Sequence, residues 1–163
     1  RYMTNLQKNI FLESDVIILS SAYSDKDLSN INISIENLIS FNKTVIIFSN
    51  KPGFYFENYQ TYVDQFFMKE KKLPEGPDLI NMKKKYFNNI DKKSRINNFK
   101  LKKIATNYNL NFFETSKLIC NHNEEVCEFI TPNKQKILFD DFHYTVDGAR
   151  YIGKKIFKLG WLN

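Results

Sequence analysis

No stretch of this chain approaches the roughly 20 consecutive apolar residues that a membrane-spanning helix requires. The longest apolar runs are Val16 to Leu19 and Val45 to Phe48. Glycine is scarce, with 5 in 163 residues, and no Gly-rich loop follows a strand-like segment, which excludes a phosphate-cradling nucleotide site. Cysteine is limited to Cys120 and Cys127. Their spacing is wider than the two-to-four-residue gap of a zinc knuckle, and His122 between them has no second ligand pair, so no metal site is expected. Two readings stay open for the thiols: a local disulfide, which the short loop favours, or an unlinked pair in a reducing compartment. The disulfide would stabilise the fold by roughly 2 to 3 kcal/mol in an oxidising compartment. The chain starts at Arg1 without a signal-peptide pattern, and we expect it to be part of a longer protein whose targeting or anchoring segments lie upstream.

Apolar residues make up 42% of the chain and aromatics 15%, enough to build a core and to suggest a single domain over residues 1–163. The net charge is +6, and the basic excess concentrates between Lys69 and Lys103, including Lys83-Lys84-Lys85 and Lys92-Lys93. A nucleic-acid surface would interleave such residues with aromatics on one face. A solvated helix surface accounts for them better, so no nucleic-acid partner is expected, and no cofactor either.

The chain begins with helical-looking, amphipathic sequence. Val16-Ile17-Ile18-Leu19 is a β-branched run of the kind found in strands covered on both faces. Ile31, Ile35, Leu38 and Ile39 then form a helical stripe, and Thr44 to Ser49 reads as a second buried strand ending in Asn50-Lys51-Pro52-Gly53. Strand, helix, strand is a parallel crossover. Pro52 to Pro77 holds three of the four prolines and suggests an insertion, about 53–90, with a short helix around Tyr59 to Lys69. Leu101, Ile104, Ala105 and Tyr108 make another stripe, and Asn111 to Glu114 a third strand. After a loop from Cys120 to Pro132 and the segment Ile137-Leu138-Phe139, a last helix carries Ala149, Ile152, Gly153 and Ile156. The order predicts a three-layer α/β domain with a parallel sheet, in which ligands gather beyond the carboxyl ends of strands.

Asp140 and His143 sit three residues apart just before that last helix, where Thr145 is a suitable N-cap and Asp147 complements the helix dipole. Such a turn presents an imidazole with a carboxylate to fix its tautomer and stabilise the imidazolium, the arrangement that activates a hydroxyl nucleophile. The same spacing also fits an ordinary polar loop with a helix cap. Ser20 and Ser21, at a strand end, lack the glycine context of a nucleophile at a sharp turn. Ser21 and Asn50 are candidates for the oxyanion or substrate region. Glu114 reads as a structural or rim residue and His122 as an exposed loop residue.

The tract Leu118-Ile119-Cys120, six residues, Cys127, and Phe139-Asp-Asp-Phe-His-Tyr-Thr-Val-Asp-Gly-Ala149 resembles the end of the SGNH domain fused to acyltransferase-3 membrane proteins. In that family a Cys pair precedes Asp-Asp-x-His-Leu-Ser and a Gly-Ala. Asp15 to Leu19 and Val45 to Pro52 are similar to its interior strands. The resemblance implies a flavodoxin-like SGNH-hydrolase fold truncated at the N-terminus, a periplasmic domain of an inner-membrane protein, and a membrane acyltransferase domain upstream in the same chain. It implies O-acylation, usually O-acetylation, of a cell-surface glycan such as lipopolysaccharide, from an acyl donor to a glycan acceptor. Asp140 and His143 carry over as the acid and base of a serine triad, and Cys120 and Cys127 as the disulfide. The family's Gly-Asp-Ser-His nucleophile motif does not occur in these 163 residues, and Tyr23 stands where the family often has Trp. Two functions therefore remain: an esterase or acyltransferase whose serine lies upstream, and a non-catalytic glycan-binding or accessory domain of the same fold.

Overall fold

The computed structural model describes residues 4–56 and 60–160. They fall into two compact units, residues 1–50 with 96–113 and residues 51–95 with 114–163.

The first unit opens with helix α1 (Asn5–Glu13), whose N-terminus is closed by a capping box between Thr4 and Gln7. None of its residues is fully buried; its covered side is Phe11, half-buried and edge-on to Phe41 at 5.6 Å. Strand β1 (Val16–Leu19) leads to helix α2 (Asp25–Ser40), capped by Ser24 and Asp27, and to strand β2 (Thr44–Phe48). Helix α5 (Lys92–Asn107) crosses the unit boundary and returns the chain to strand β3 (Asn111–Phe113). All three strands are parallel, in the order β1-β2-β3, as the crossover pattern requires.

Leu19, Ile47 and Phe112 form one rung of the sheet. On that face they pack with Leu28, Ile31 and Ile35 of α2 and Leu101 and Ala105 of α5. The α2 stripe therefore runs through Leu28, Ile31 and Ile35, while Ile39 is 43% exposed. Its apolar line follows i, i+3 and i+7, which keeps successive side chains over the sheet. The expectation that β1 is covered on both faces does not hold. Val16 and Ile18 point away from Leu19, and each is 43% exposed, so only the Leu19 side of β1 lies against the helices of this core.

The second unit carries helices α3 (Tyr62–Glu70), α4 (Gly76–Asn88) and α6 (Val146–Lys158), and a short antiparallel pair, β4 (Cys120–Asn121) with β5 (Val126–Cys127). Residues about 53–90, the expected insertion, lie within it. The helix expected around Tyr59 to Lys69 is α3, capped by Thr61; Tyr59 itself lies outside the described residues. Helix α4 carries Lys83-Lys84-Lys85, the run read as a solvated helix surface, though no bounds or buried side were expected for it. Only Met82 and Tyr86 of α4 are buried; Lys83 beside them is half-buried, and Lys84 and Lys85 are exposed.

Tyr86, 0% exposed, anchors an aromatic cluster. It meets Phe54, Phe56 and Tyr62 edge-on at 5.3 to 5.5 Å and stacks on Phe129 at 4.9 Å. Such edge and offset contacts contribute about 0.5 to 1.5 kcal/mol each beyond the area they bury.

Candidate active site

The site residue pair sits in a turn that the chain builds from both sides. Leu138 and Tyr144 form an antiparallel bridge, and the Phe139 N–H donates to the His143 carbonyl at 2.7 Å. Just beyond, the Thr145 hydroxyl donates to the Lys136 carbonyl and accepts from the Gly148 N–H at 2.9 Å, which starts α6. Gly148 is required by packing. A Cβ there would fall 2.1 Å from the Ile137 carbonyl oxygen, so only glycine lets the first turn of α6 lie on that strand-like segment.

Within this turn one oxygen of Asp140 accepts from the backbone N–H groups of Phe142 and His143, both at 2.8 Å. The carboxylate also lies 2.9 and 2.8 Å from His143 Nδ1 through its two oxygens. Because an ionised carboxylate only accepts, Nδ1 is the donor. The proton of the neutral ring is therefore on Nδ1, and Nε2 is left as the basic nitrogen. The His143 side chain is 73% exposed and that of Asp140 28%, so the buried end of the pair is the orienting carboxylate and the outer end is the ring.

Adjacent carboxyls in this turn are pushed in opposite directions. Burial raises the Asp140 carboxyl, but the Phe142 N–H, the His143 ring and the His143 N–H outweigh it and hold it below the ordinary carboxylate range. Burial and then the neighbouring Asp140 charge raise Asp141, whose Oδ1 is enclosed without a hydrogen-bond partner among the described residues.

Sequence reasoning missed the surroundings of the turn. Phe142 packs its ring against Gly53, where a Cβ would lie 2.5 Å from Phe142 Cε1, and the Phe54 N–H donates to the Asp141 carbonyl at 3.1 Å. Lys51 lies over the Tyr144 ring, 5.1 Å from Nζ to its centroid. Burial lowers the Lys51 ammonium while the Asp140 charge partly restores it, and burial lifts the Tyr144 phenol to about 12. For Lys51 and Gly53 the only signal was the Asn-Lys-Pro-Gly exit from β2, which marks a tight turn without saying what it packs against, and Phe142 and Tyr144 were visible only as neighbours of His143 in its tract.

Ser21 and Asn50 belong to the first unit, at the ends of β1 and β2. Ser21 is exposed. Asn50 is 7% exposed, and its side chain is occupied with the Tyr23 backbone: Oδ1 accepts from the Tyr23 N–H at 2.9 Å and Nδ2 donates to its carbonyl at 3.4 Å. Asn97 donates to the same carbonyl at 2.9 Å, and Asn98 brackets the Asn50 backbone at 2.7 and 3.0 Å. The amide expected to face an oxyanion therefore stitches two strand-end loops together. Tyr23 is buried, and its phenol is raised to about 12, first by burial and then by Asp27.

Cys120 and Cys127 are joined in a disulfide across the β4–β5 hairpin, which closes the choice left by their spacing. Glu114 pairs with Lys117 at 3.0 Å on the surface, and His122 is exposed, edge-on to Phe87 at 5.4 Å. Among the described residues no cluster of His, Cys, Asp and Glu is arranged to hold a metal ion.

Residues 2–158 match the family described as the SGNH domain fused to AT3 domains. The chain belongs to that SGNH family. The solved structure of a lipopolysaccharide acetyltransferase periplasmic domain from Salmonella ser. Paratyphi A is similar to this SGNH domain with a TM-score of 0.65 and 15% identity, covering 95% of this chain and 60% of that one. A putative acylhydrolase from Bacteroides fragilis NCTC 9343 is 15% identical, with a TM-score of 0.49 over 89% of this chain and 60% of that one. The SGNH domain described here thus spans about three fifths of the length of these solved relatives. Among curated proteins none matches it. Fold and family agree: a mixed α/β SGNH-type domain with a parallel three-stranded sheet.

Proposed function

We infer that this SGNH domain is the periplasmic part of a membrane-bound acyltransferase, and that it transfers or hydrolyses an acyl group, in the first instance acetyl, on a cell-surface glycan such as lipopolysaccharide. The observation that carries this reading is the Asp140 carboxylate held at 2.8 Å from His143 Nδ1 on an otherwise exposed ring. Support comes from the family's fusion to AT3 domains, from the disulfide, which suits an oxidising compartment, and from the Salmonella domain with the same fold. The proposed partners are an AT3 membrane domain of the same protein, an acyl donor and a glycan acceptor.

In this mechanism His143 Nε2 removes the proton from a serine hydroxyl supplied by the parent protein outside these 163 residues. The alkoxide attacks the acyl carbonyl, and Asp140 stabilises the imidazolium that forms. His143 then returns the proton to the leaving oxygen, giving an acyl-enzyme. In the second half, a glycan hydroxyl or water loses its proton to Nε2, attacks the acyl-enzyme and releases the serine, which recovers the proton.

The test is hydrolysis of a small acetyl ester by the parent protein. His143→Ala is expected to lower kcat by about a thousand-fold or more, with the melting temperature nearly unchanged because the ring is exposed. Full activity in that variant would remove His143 from the mechanism. The second reading is a non-catalytic glycan-binding or accessory domain of the same fold, which a parent protein without a Gly-Asp-Ser motif upstream of these residues would favour. Parent protein that binds glycan but turns over no ester, with or without His143, would establish that reading instead.

A further inference from the structure

The strongest unassigned feature lies in the second unit, at the far end of α6 from the Asp140–His143 turn. A cleft of about 550 Å³ opens between α4, the disulfide hairpin and α6, and carries Lys83, Lys117, Lys155 and His122 on its walls, with Glu124 and Glu128 as its carboxylates. A second cleft, of about 350 Å³, lies between α4, the Ile130–Lys134 loop and α6, and presents Pro74, Leu79, Pro132 and Tyr151. Both are lined by Lys83 and Glu128, so they form one groove with a polar half and a more apolar half.

The charges in this groove are unevenly satisfied. Lys155 Nζ donates to Glu128 Oε2 at 2.7 Å, and the Tyr151 hydroxyl donates to the same oxygen at 2.7 Å, so that lysine and that carboxylate cancel. Lys117 is tied to Glu114 at 3.0 Å, but its side chain is 67% exposed, and exposed pairs of this kind hold weakly. Lys83 is half-buried at the junction of the two clefts and makes no ion pair among the described residues. A partly desolvated ammonium without a counter-charge favours an anionic ligand. The opposite wall is rigid. Cys120–Cys127 closes the hairpin, and the Asn121 side chain accepts from the Asn123 and Glu124 N–H groups at 3.0 and 3.3 Å. This leaves the Asn121 amide hydrogens as neutral donors to a ligand.

We propose that this groove binds an acidic glycan, with Lys83 taking the carboxylate or phosphate of one sugar unit and the Tyr151 and proline surfaces packing on the next. The proposal rests on the reading of the domain as one that acts on a glycan, and it names the acidic class of that acceptor. Geometry allows one chain to serve both places. Lys155 is ten residues beyond the Thr145 cap, about 15 Å along α6, a span for an oligosaccharide rather than a single sugar.

The test is titration of the protein with hexagalacturonate, with glucose 6-phosphate and with neutral maltohexaose. At least one acidic probe is expected to bind about ten-fold or more tightly than maltohexaose, and to weaken as salt is raised. Galacturonate titrated beside glucose 6-phosphate, each a single sugar with one anionic group, identifies the anion as carboxylate or phosphate by which binds better. Lys83→Gln is expected to weaken the acidic probe about five-fold, and Glu124→Gln to strengthen it about two-fold. Two effects of opposite sign cannot both come from unfolding. Equal affinity for acidic and neutral probes, or Lys83→Gln and Glu124→Gln both without effect, would overturn the proposal. Ester hydrolysis by the parent protein, which supplies the serine, separates the two readings: parent protein that binds hexagalacturonate but hydrolyses nothing supports the groove and removes the acyl-transfer mechanism.

Discussion

The two units of this chain are built on different principles. The first packs aliphatic side chains of α2 and α5 against one face of a parallel sheet, so neighbouring contacts repeat at helical and strand periods. The second has its antiparallel pairing confined to two-residue strands and single bridges, and gathers around Tyr86 through rings drawn from residues 54 to 129, with a disulfide and a glycine contact where regular structure is missing. The Asp140–His143 turn belongs to the second. A turn that must hold one imidazole is better fixed by specific short contacts than by a repeating lattice, and this one has four hydrogen bonds from Phe142, His143 and Phe139 around a capped helix start.

If specific contacts, not periodic packing, hold the turn, the largest effects should follow changes to those contacts. Asp140→Asn is expected to lower ester turnover by about a thousand-fold or more, because an amide can offer its N–H to Nδ1 and favour the wrong tautomer. Far-ultraviolet circular dichroism should show the helices of both units unchanged. An active variant would break the distinction. Gly148→Ala comes next. Its Cβ would collide with the Ile137 carbonyl, and chemical denaturation should show a loss of about 3 kcal/mol, together with reduced activity as α6 and the turn move apart. Removing the disulfide with the Cys120→Ser, Cys127→Ser double variant is expected to cost about 2 to 3 kcal/mol. Hydrogen exchange should place the loss in β4, β5 and the neighbouring loop rather than in β1 to β3. Protection lost evenly in both sheets would contradict that.

The smallest effect is on pH dependence. The Asp140 carboxyl is held below its ordinary value in the fold, so its hydrogen bonds stabilise the protein above the unfolded carboxylate pKa. That stability is lost as pH falls through the lower folded value. The difference in melting temperature between the native protein and Asp140→Asn should therefore persist at neutral pH and shrink only as pH falls below the usual carboxylate range. A difference that vanished near neutral pH would mean the carboxylate is not held as described.

The same contrast explains what the sequence made visible. Val16 to Leu19 and Thr44 to Ser49 could be read because each is an unbroken run rich in β-branched residues between polar residues, and the Leu101–Ala105 stripe because its burial repeats at the helical period. The bounds and buried side of α4 escaped because two buried residues, Met82 and Tyr86, are too few to form a stripe. On α6 the expected apolar face of Ala149, Ile152, Gly153 and Ile156 is rotated: Gly148 and Ile152 are buried, Tyr151, Lys155 and Ile156 are half-buried, and Ala149 and Gly153 are exposed. Tyr151 and Lys155 turn their apolar parts inward while their polar ends meet at Glu128, which hydropathy counting assigns to the wrong side. Of the site, Asp140, His143 and the Thr145 cap were legible because they lie within six residues. The packing of Lys51, Gly53 and Tyr144 around them was not, since those contacts join positions some 90 residues apart. Asn50 was placed at the correct strand end, but its partners on Tyr23 and Asn98 were out of reach for the same reason.

A double-mutant cycle on ester hydrolysis by the parent protein, comparing Asp140→Asn, His143→Ala and the two combined, tests most directly whether Asp140 acts through His143. The combined variant is expected to be about as active as His143→Ala alone, because an orienting carboxylate has no work once the imidazole is gone. Losses that multiply, with the double variant slower by the product of the two single effects, would show the residues acting independently and would contradict the proposed mechanism.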